Sequence, residues 1–375
     1  MSEQDTARID RLLGFLEADP RNTTLMADAA LAALAAGRRE LTQDLIARHA
    51  ALAPLPAALN NAAGVLALTA DDLEAARAAF ATALAQDRDQ AAVGFNLAWT
   101  QARLGDWQGV VDQVDAAMAA EIPRAGALKV HALHMLDRVE DALAYGRQLL
   151  DQRPDDVALL GASALAAMDV EDMALAARLA EQAGAQSPEG RATLGLLALE
   201  RQDAAAAAPF LEQALAVDPQ NARARLGLGL AHMLEDRPAA AAPELDQAAE
   251  RFGDHPGSWI AAGWAHYALG ALPTSRARFE KAVAADGGFS EGHGGLAVID
   301  VAEGRIEDAR RNTDIALRLD RASLSGQLAR SMLLAHDGAP EKGERLRERV
   351  IHAPMSPGGP SIAQAMTRLA RRRRG

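Results

Sequence analysis

The stretch Trp259-Ile260-Ala261-Ala262-Gly263-Trp264-Ala265-His266, followed by Gly270, Phe279 and Ala282, decides how this chain is read. An apolar run with helical spacing holds a small residue at 263 and stops at Gly270. A second run then carries Ser275, Phe279 and Ala282 at i, i+4 and i+7, which is one face of a helix. The pattern predicts two helices joined by a tight turn. The mid-helix glycine, which costs roughly 1 kcal/mol on its own, is explained if it lets the second helix approach closely.

The same pattern recurs along the chain with a period of about 34 residues. The small place is occupied in turn by Gly64, Ala98, Val130, Ala164, Gly195, Gly229, Gly263 and Ala297. Twelve residues later stand Ala76, Val110, Ala142, Ala176, Ala207, Ala241, Ser275 and Ala309, and four beyond those Phe80, Val114, Gly146, Ala180, Leu211, Leu245, Phe279 and Thr313. Second helices end at breakers such as Ile122-Pro123, Arg153-Pro154, Ser187-Pro188, Asp218-Pro219 and Gly287-Gly288, since proline cannot continue a helix and pushes its predecessor out of the α region. Gly105, Gly270 and Gly304 mark the turn inside a pair.

In period and in the Trp259, Gly263, Gly270, Phe279 and Ala282 places, the chain resembles the tetratricopeptide repeat family. Residues 57–323 hold eight such repeats. Residues 23–56 and 324–355 read as degenerate outer repeats, residues 1–22 as a flanking helix, and 356–375 as a Pro/Gly linker, a capping helix and a basic tail. The third unit departs from the pattern, with Lys129 and Val130 where Leu and Gly are usual, and only Trp259 fills the family's Trp place. The resemblance implies an all-α fold: a right-handed α-solenoid of antiparallel helix pairs.

Composition agrees with such an array. Alanine dominates the 375 residues, aromatics make up 3% and charged residues 24%, which suits helices packed through small side chains. The net charge of -12 opposes attraction to nucleic acid or anionic membrane. There is no cysteine, so disulfides, thiolate metal sites and thiol nucleophiles are excluded. The acidic start and the interruption of Ile9–Leu16 by Asp10 and Arg11 do not read as a signal peptide, and no segment approaches the roughly 20 apolar residues that span a bilayer. The expectation is a cytoplasmic protein, with the Ala-, Arg- and Gly-rich style of a bacterial chain.

The resemblance implies that the residue after each small place lines the inner groove of the superhelix. Those residues are Val65, Trp99, His131, Leu165, Leu196, Leu230, Trp264 and Val298. Three places on come Leu68, Ala102, His134, Met168, Leu199, Met233, Tyr267 and Val301. With Phe95 they form a largely apolar set, and aromatic and Met side chains are favoured contact residues at interfaces. One reading is a concave groove for a peptide or amphipathic segment of another protein. The other is ordinary packing between helices, or cover by the chain's own Pro354–Ala370.

Other chemistry is poorly represented. His131 and His134 have a spacing that could supply two metal ligands, but only Asp137 is at hand to complete a site. The glycines at 227, 229, 292, 294 and 295 lack the strand, turn and lysine of a phosphate loop. Asn61, Asn96 and Lys129 are a fragment of the family's carboxylate clamp, with Val65, Trp99 and Leu165 where donors are wanted. Acidic pairs such as Asp71-Asp72, Asp155-Asp156 and Glu171-Asp172 fall in turns, where carboxylates cap helices. The expected protein is therefore a non-enzymatic adaptor or scaffold that uses no cofactor. A self-associating assembly protein is the alternative.

Overall fold

The computed structural model describes residues 3–352; the expected linker, capping helix and Arg371–Arg374 tail lie outside the described residues. The described residues form helices connected by turns and contain no strand. The chain divides into two compact units, Met1–Asp172 and Met173–Gly375.

The first unit opens with α1 (Glu3–Ala18) and continues with helix pairs α2 (Thr23–Ala35) and α3 (Arg39–Ala50), then α4 (Ala57–Thr69) and α5 (Leu73–Gln86). In the next pair α6 (Ala91–Arg103) is followed by a second helix broken into α7 (Trp107–Gln113) and α8 (Ala116–Glu121). Then come α9 (Pro123–Met135) with α10 (Val139–Leu150), and finally α11 (Val157–Asp169). The second unit holds α12 (Met173–Ala183) and the pairs α13 (Pro188–Glu200) and α14 (Ala204–Val217), α15 (Ala222–Leu234) and α16 (Pro238–Phe252), and α17 (Pro256–Ala268) and α18 (Leu272–Ala285). It ends with α19 (Ser290–Ala302) and α20 (Ile306–Leu319), then α21 (Leu324–His336) and α22 (Pro340–His352).

The turn between first and second helices has one repeated backbone solution, a residue in the left-handed region. Gly37, Asp71, Gly105, Asp137 and Glu171 take it in the first unit, and Gln202, Asp236, Gly270, Gly304 and Gly338 in the second. Where glycine stands, the conformation is free of Cβ strain; the acidic and amide residues adopt it at a cost. One residue after several of these places, a carboxylate accepts from the new helix's third N–H, as Asp72 does from Ala75, Asp106 from Gly109 and Asp203 from Ala206. Asp156 caps α11 in the same way. Of the acidic turn pairs, then, Asp72 and Asp156 are caps, while Asp71 and Glu171 are the left-handed residues beside the turn.

The small residue of each first helix receives a large residue of the second. A Cβ added to Gly64 would lie 2.5 Å from the Phe80 ring, and one at Gly263 2.8 Å from the Phe279 ring. Leu211 and Leu245 stand in the same relation to Gly195 and Gly229. All four large side chains are fully buried, each contributing about 2 kcal/mol by removal from water. Phe279 also touches Gly295 of the following first helix, so one ring wedges two first helices. The last pairs approach most closely where Gly294 faces the Ser325–Gly326 backbone, and Glu291 of α19 accepts from the Leu324 and Ser325 N–H groups at 2.8 and 3.0 Å, capping α21 from the neighbouring pair.

Charge pairs add cross-links between pairs. Asp246 of α16 receives both guanidinium arms of Arg278 at 2.7 and 3.1 Å and His266 Nε2 at 2.9 Å. Asp300, fully buried on α19, is held by Arg276, Arg305 and Asn312. Burial pushes the Asp300 carboxyl up, against the opposing pull of Asn312 and Arg276. No described helix is long and apolar enough to cross a membrane.

Candidate protein-binding face

In the first unit the face of interest is carried by α6 and α9. Trp99 is 47% exposed, the largest apolar side chain among the described residues to lie so open. Phe95, one turn earlier and half-buried, sets its ring 6.5 Å from the indole at a tilt of 32°. Spacing of four residues on a helix produces this pairing directly. On α9, His131 is half-buried and meets Trp107 edge-on at 5.4 Å, while His134 is buried and bonded through Nε2 to Asp169 of α11. His134 therefore links helices rather than offering itself to a ligand. Among the described residues no group of three His, Cys, Asp or Glu side chains could hold a metal ion.

Lys129 is also committed. Its Nζ donates to the Val114 carbonyl at 2.6 Å and stands 5.3 Å from the Tyr145 ring centroid. Val114 lies at the break between α7 and α8, so the ammonium meets a carbonyl beside that break. Desolvation lowers the Lys129 pKa, with Asp112 and Asp115 opposing. On α11, Leu165 is buried and Met168 half-buried, so Met168 alone of the two reaches solvent.

In the second unit the corresponding residues serve packing more than surface. Leu199 packs on the Ala192, Leu211 and Leu228 cluster, and Leu196 lies against Gly227. Leu230 and Met233 pack on Ala241, Leu245 and Ala262. Trp264 meets Phe279 edge-on at 5.4 Å and Tyr267 at 5.5 Å, and both Trp264 and Tyr267 join clusters containing Leu296 and Val298. All six are half-buried, and Val298 is fully buried. Trp264 and Tyr267 thus bridge one pair to the next, and of the two tryptophans in this register only Trp99 is exposed.

Two family models described as tetratricopeptide repeat match residues 198–259 and 235–288. Residues 198–288 are tetratricopeptide repeat. Among solved structures, the chain is similar to the crystal structure of the APC/C hetero-tetramer Cut9-Hcn1, with a TM-score of 0.55 and 13% identity over 92% of this chain and 78% of that one. It is also similar to YrrB, described as a TPR protein with an unusual peptide-binding site, at a TM-score of 0.41 and 16% identity over 49% of this chain and 97% of that one. The crystal structure of MamA matches at a TM-score of 0.35 and 14% identity over 42% of this chain and 92% of that one. At these identities the likeness concerns the fold. No curated protein matches the sequence.

Sequence reasoning places Trp99 and Trp264 in one register and does not separate them. What distinguishes them is the neighbour: the place sixteen residues after each small residue is Phe279 beside Trp264 but Val114 beside Trp99. The signal is present in the repeat columns. The acidic cross-links at Asp246 and Asp300 do not stand out in the sequence, because apart from Arg305 their partners lie 12 to 32 residues away in the chain.

Proposed function

We propose that this protein is a non-enzymatic adaptor whose first-helix face in the first unit binds an apolar or amphipathic segment of a partner protein. The repeat fold supports a protein-interaction scaffold, and the exposure of Trp99 beside Phe95 is the observation that carries the finer reading. A tryptophan left half in water is an unsatisfied apolar surface, and burying it in a partner is worth about 2 kcal/mol or more. Val65 and Leu68 of α4, half-buried on the Phe80 cluster, extend the apolar character beside it. A partner segment with aliphatic side chains at helical spacing suits such a face. The cytoplasm is the compartment proposed, and no cofactor is invoked.

The test is selection of peptides on the purified full-length chain, followed by affinity measurement with Trp99→Ala and Trp264→Ala. The expected result is loss of binding in W99A with only a small fall in melting temperature. Peptides that bind W99A as tightly as the parent would reject this face. If the parent chain instead forms a dimer that W99A disperses, the face serves self-association.

A further inference from the structure

At the end of the second unit, a cleft of about 690 Å³ opens between the close of α20 and helices α21 and α22. Its rim carries Arg321, just past α20, Arg330 of α21, and Lys342, Arg345 and Arg349 of α22, all of them exposed. No carboxylate lines it. Elsewhere on the same helices cations are neutralised locally: Arg347 pairs with Glu344 at 2.7 Å and Arg310 with Asp337 at 2.6 Å. Among the described residues, none of the five rim cations makes an ion pair. Helical spacing explains the separation, because 342, 345 and 349 fall on one face of α22 while Glu344 and Glu348 fall on others. The floor is apolar, formed by half-buried Leu317, Leu334 and Leu346.

We infer that this cleft is a docking site for an acidic amphipathic segment of a partner protein, whose carboxylates meet the five rim cations and whose apolar side chains rest on the three leucines. Charge complementarity selects the occupant. Five unpaired cations on a chain of net charge -12 are a local reversal of the protein's own field, which repels anions elsewhere and focuses them here. The volume falls within the range of ligand clefts and admits a few side chains of a peptide. A nucleic acid is disfavoured because no aromatic lines the cleft to stack a base. The chain's own residues 353–375 contain five arginines and no acidic side chain, so they have the wrong sign. The site is independent of the Trp99 face.

The experiment is fluorescence anisotropy with a labelled helical peptide of about twelve residues, long enough to span roughly 18 Å, that carries Leu and Glu on opposite faces. A Glu-to-Gln counterpart, a Leu-to-Ser counterpart and oligodeoxythymidine are run beside it on the full chain. The Leu/Glu peptide is expected to bind, to weaken about tenfold or more in Arg330→Glu/Arg345→Glu, and to weaken on raising salt from about 50 to about 300 mM. The same comparisons are run in a Trp99→Ala background, where the Trp99 face no longer contributes and the loss in Arg330→Glu/Arg345→Glu should persist, so failure here and failure of the Trp99 face are separate outcomes. Should the charge reversal disturb folding, Arg321→Ser/Arg349→Ser keeps the test open, with loss of binding again expected. A variant with Arg371–Arg374 changed to Ser should still bind; loss there assigns the interaction to the tail and overturns the inference. Equal binding of the Gln or the Ser peptide, indifference to R330E/R345E, or tighter binding of oligodeoxythymidine overturns it as well.

Discussion

Val130 packs over Gly146: its Cγ2 lies 3.6 Å from the point where a Cβ on Gly146 would stand, an ordinary van der Waals contact. In the pairs with Gly64 and Phe80, or Gly263 and Phe279, the first helix supplies the hole and the second the knob. In the pair of α9 and α10 the glycine sits on the second helix, and it is Ser163 of α11 that crowds the position, while buried Val130 of α9 fills the space beside it. Truncation at Val130 would therefore empty a filled contact. Val130→Ala is expected to cost roughly 2 kcal/mol, read as a fall in the thermal midpoint with helical content unchanged at low temperature.

The conventional arrangement is tested at Phe279, whose buried ring is pinched between Gly263 and Gly295. A rigid ring cannot yield to a new methyl as a flexible side-chain end can. Gly263→Ala should destabilise by about 1–3 kcal/mol. Adding Phe279→Leu should cost less in that background than in the parent, a coupling of about 0.5 kcal/mol or more in a double-mutant cycle. Additive losses would show that the two sites do not share one packing constraint.

How much of this is legible in the sequence depends on whether neighbours in the fold keep the repeat's own spacing. The small and large columns do, so Gly229 over Leu245 can be read from periodicity alone. Val130 reads as a defect because the residues it packs with, such as Gly146, sit in a different column. The division of one second helix into α7 and α8 carries no proline or glycine at Val114–Asp115, so no breaker announces it. The basic cleft is equally hidden, since in linear order its cations alternate with Glu341, Glu344 and Glu348, and only the helical turn sorts the two signs onto separate faces.

The turn backbone offers a stabilising substitution. Gln202 holds φ of 55° at the place where Gly270 holds 73°. A left-handed residue with a Cβ is strained by about 1 kcal/mol, and glycine relieves that strain while adding some unfolded-state entropy. Gln202→Gly should raise the thermal midpoint slightly, whereas Gly270→Ala should lower it by an amount corresponding to about 1 kcal/mol.

The two tryptophans of the repeat register should separate in a stability measurement without any partner. Trp264 shares edge contacts with Phe279 and Tyr267 and joins the clusters of two successive pairs, so Trp264→Ala is expected to cost about 3 kcal/mol. Trp99 is about half in solvent, and Trp99→Ala should cost about 1 kcal/mol or less. Equal losses would assign Trp99 to the core and remove the basis for a binding role.

Two carboxyls are displaced in opposite directions, and their pH dependences should therefore have opposite sign. Burial alone would raise Asp246, but hydrogen bonds from Arg278 and His266, with their charges, outweigh it and hold the carboxyl below its ordinary 3.8. A depressed folded-state value means that its contribution is present above that ordinary value and is lost as pH falls through the folded one. Asp246→Asn should thus destabilise by roughly 1–3 kcal/mol at pH 7, with the difference from the parent closing in strong acid. Glu189, in the first turn of α13, is raised above its ordinary 4.5 because burial outweighs its backbone hydrogen bond, with Asp218 adding repulsion. Its ionisation at neutral pH works against folding, and that penalty is absent below the ordinary value. Glu189→Gln should accordingly raise the melting temperature at pH 7 and make no difference near pH 4, and a benefit that persisted in acid would show that shape rather than charge is responsible.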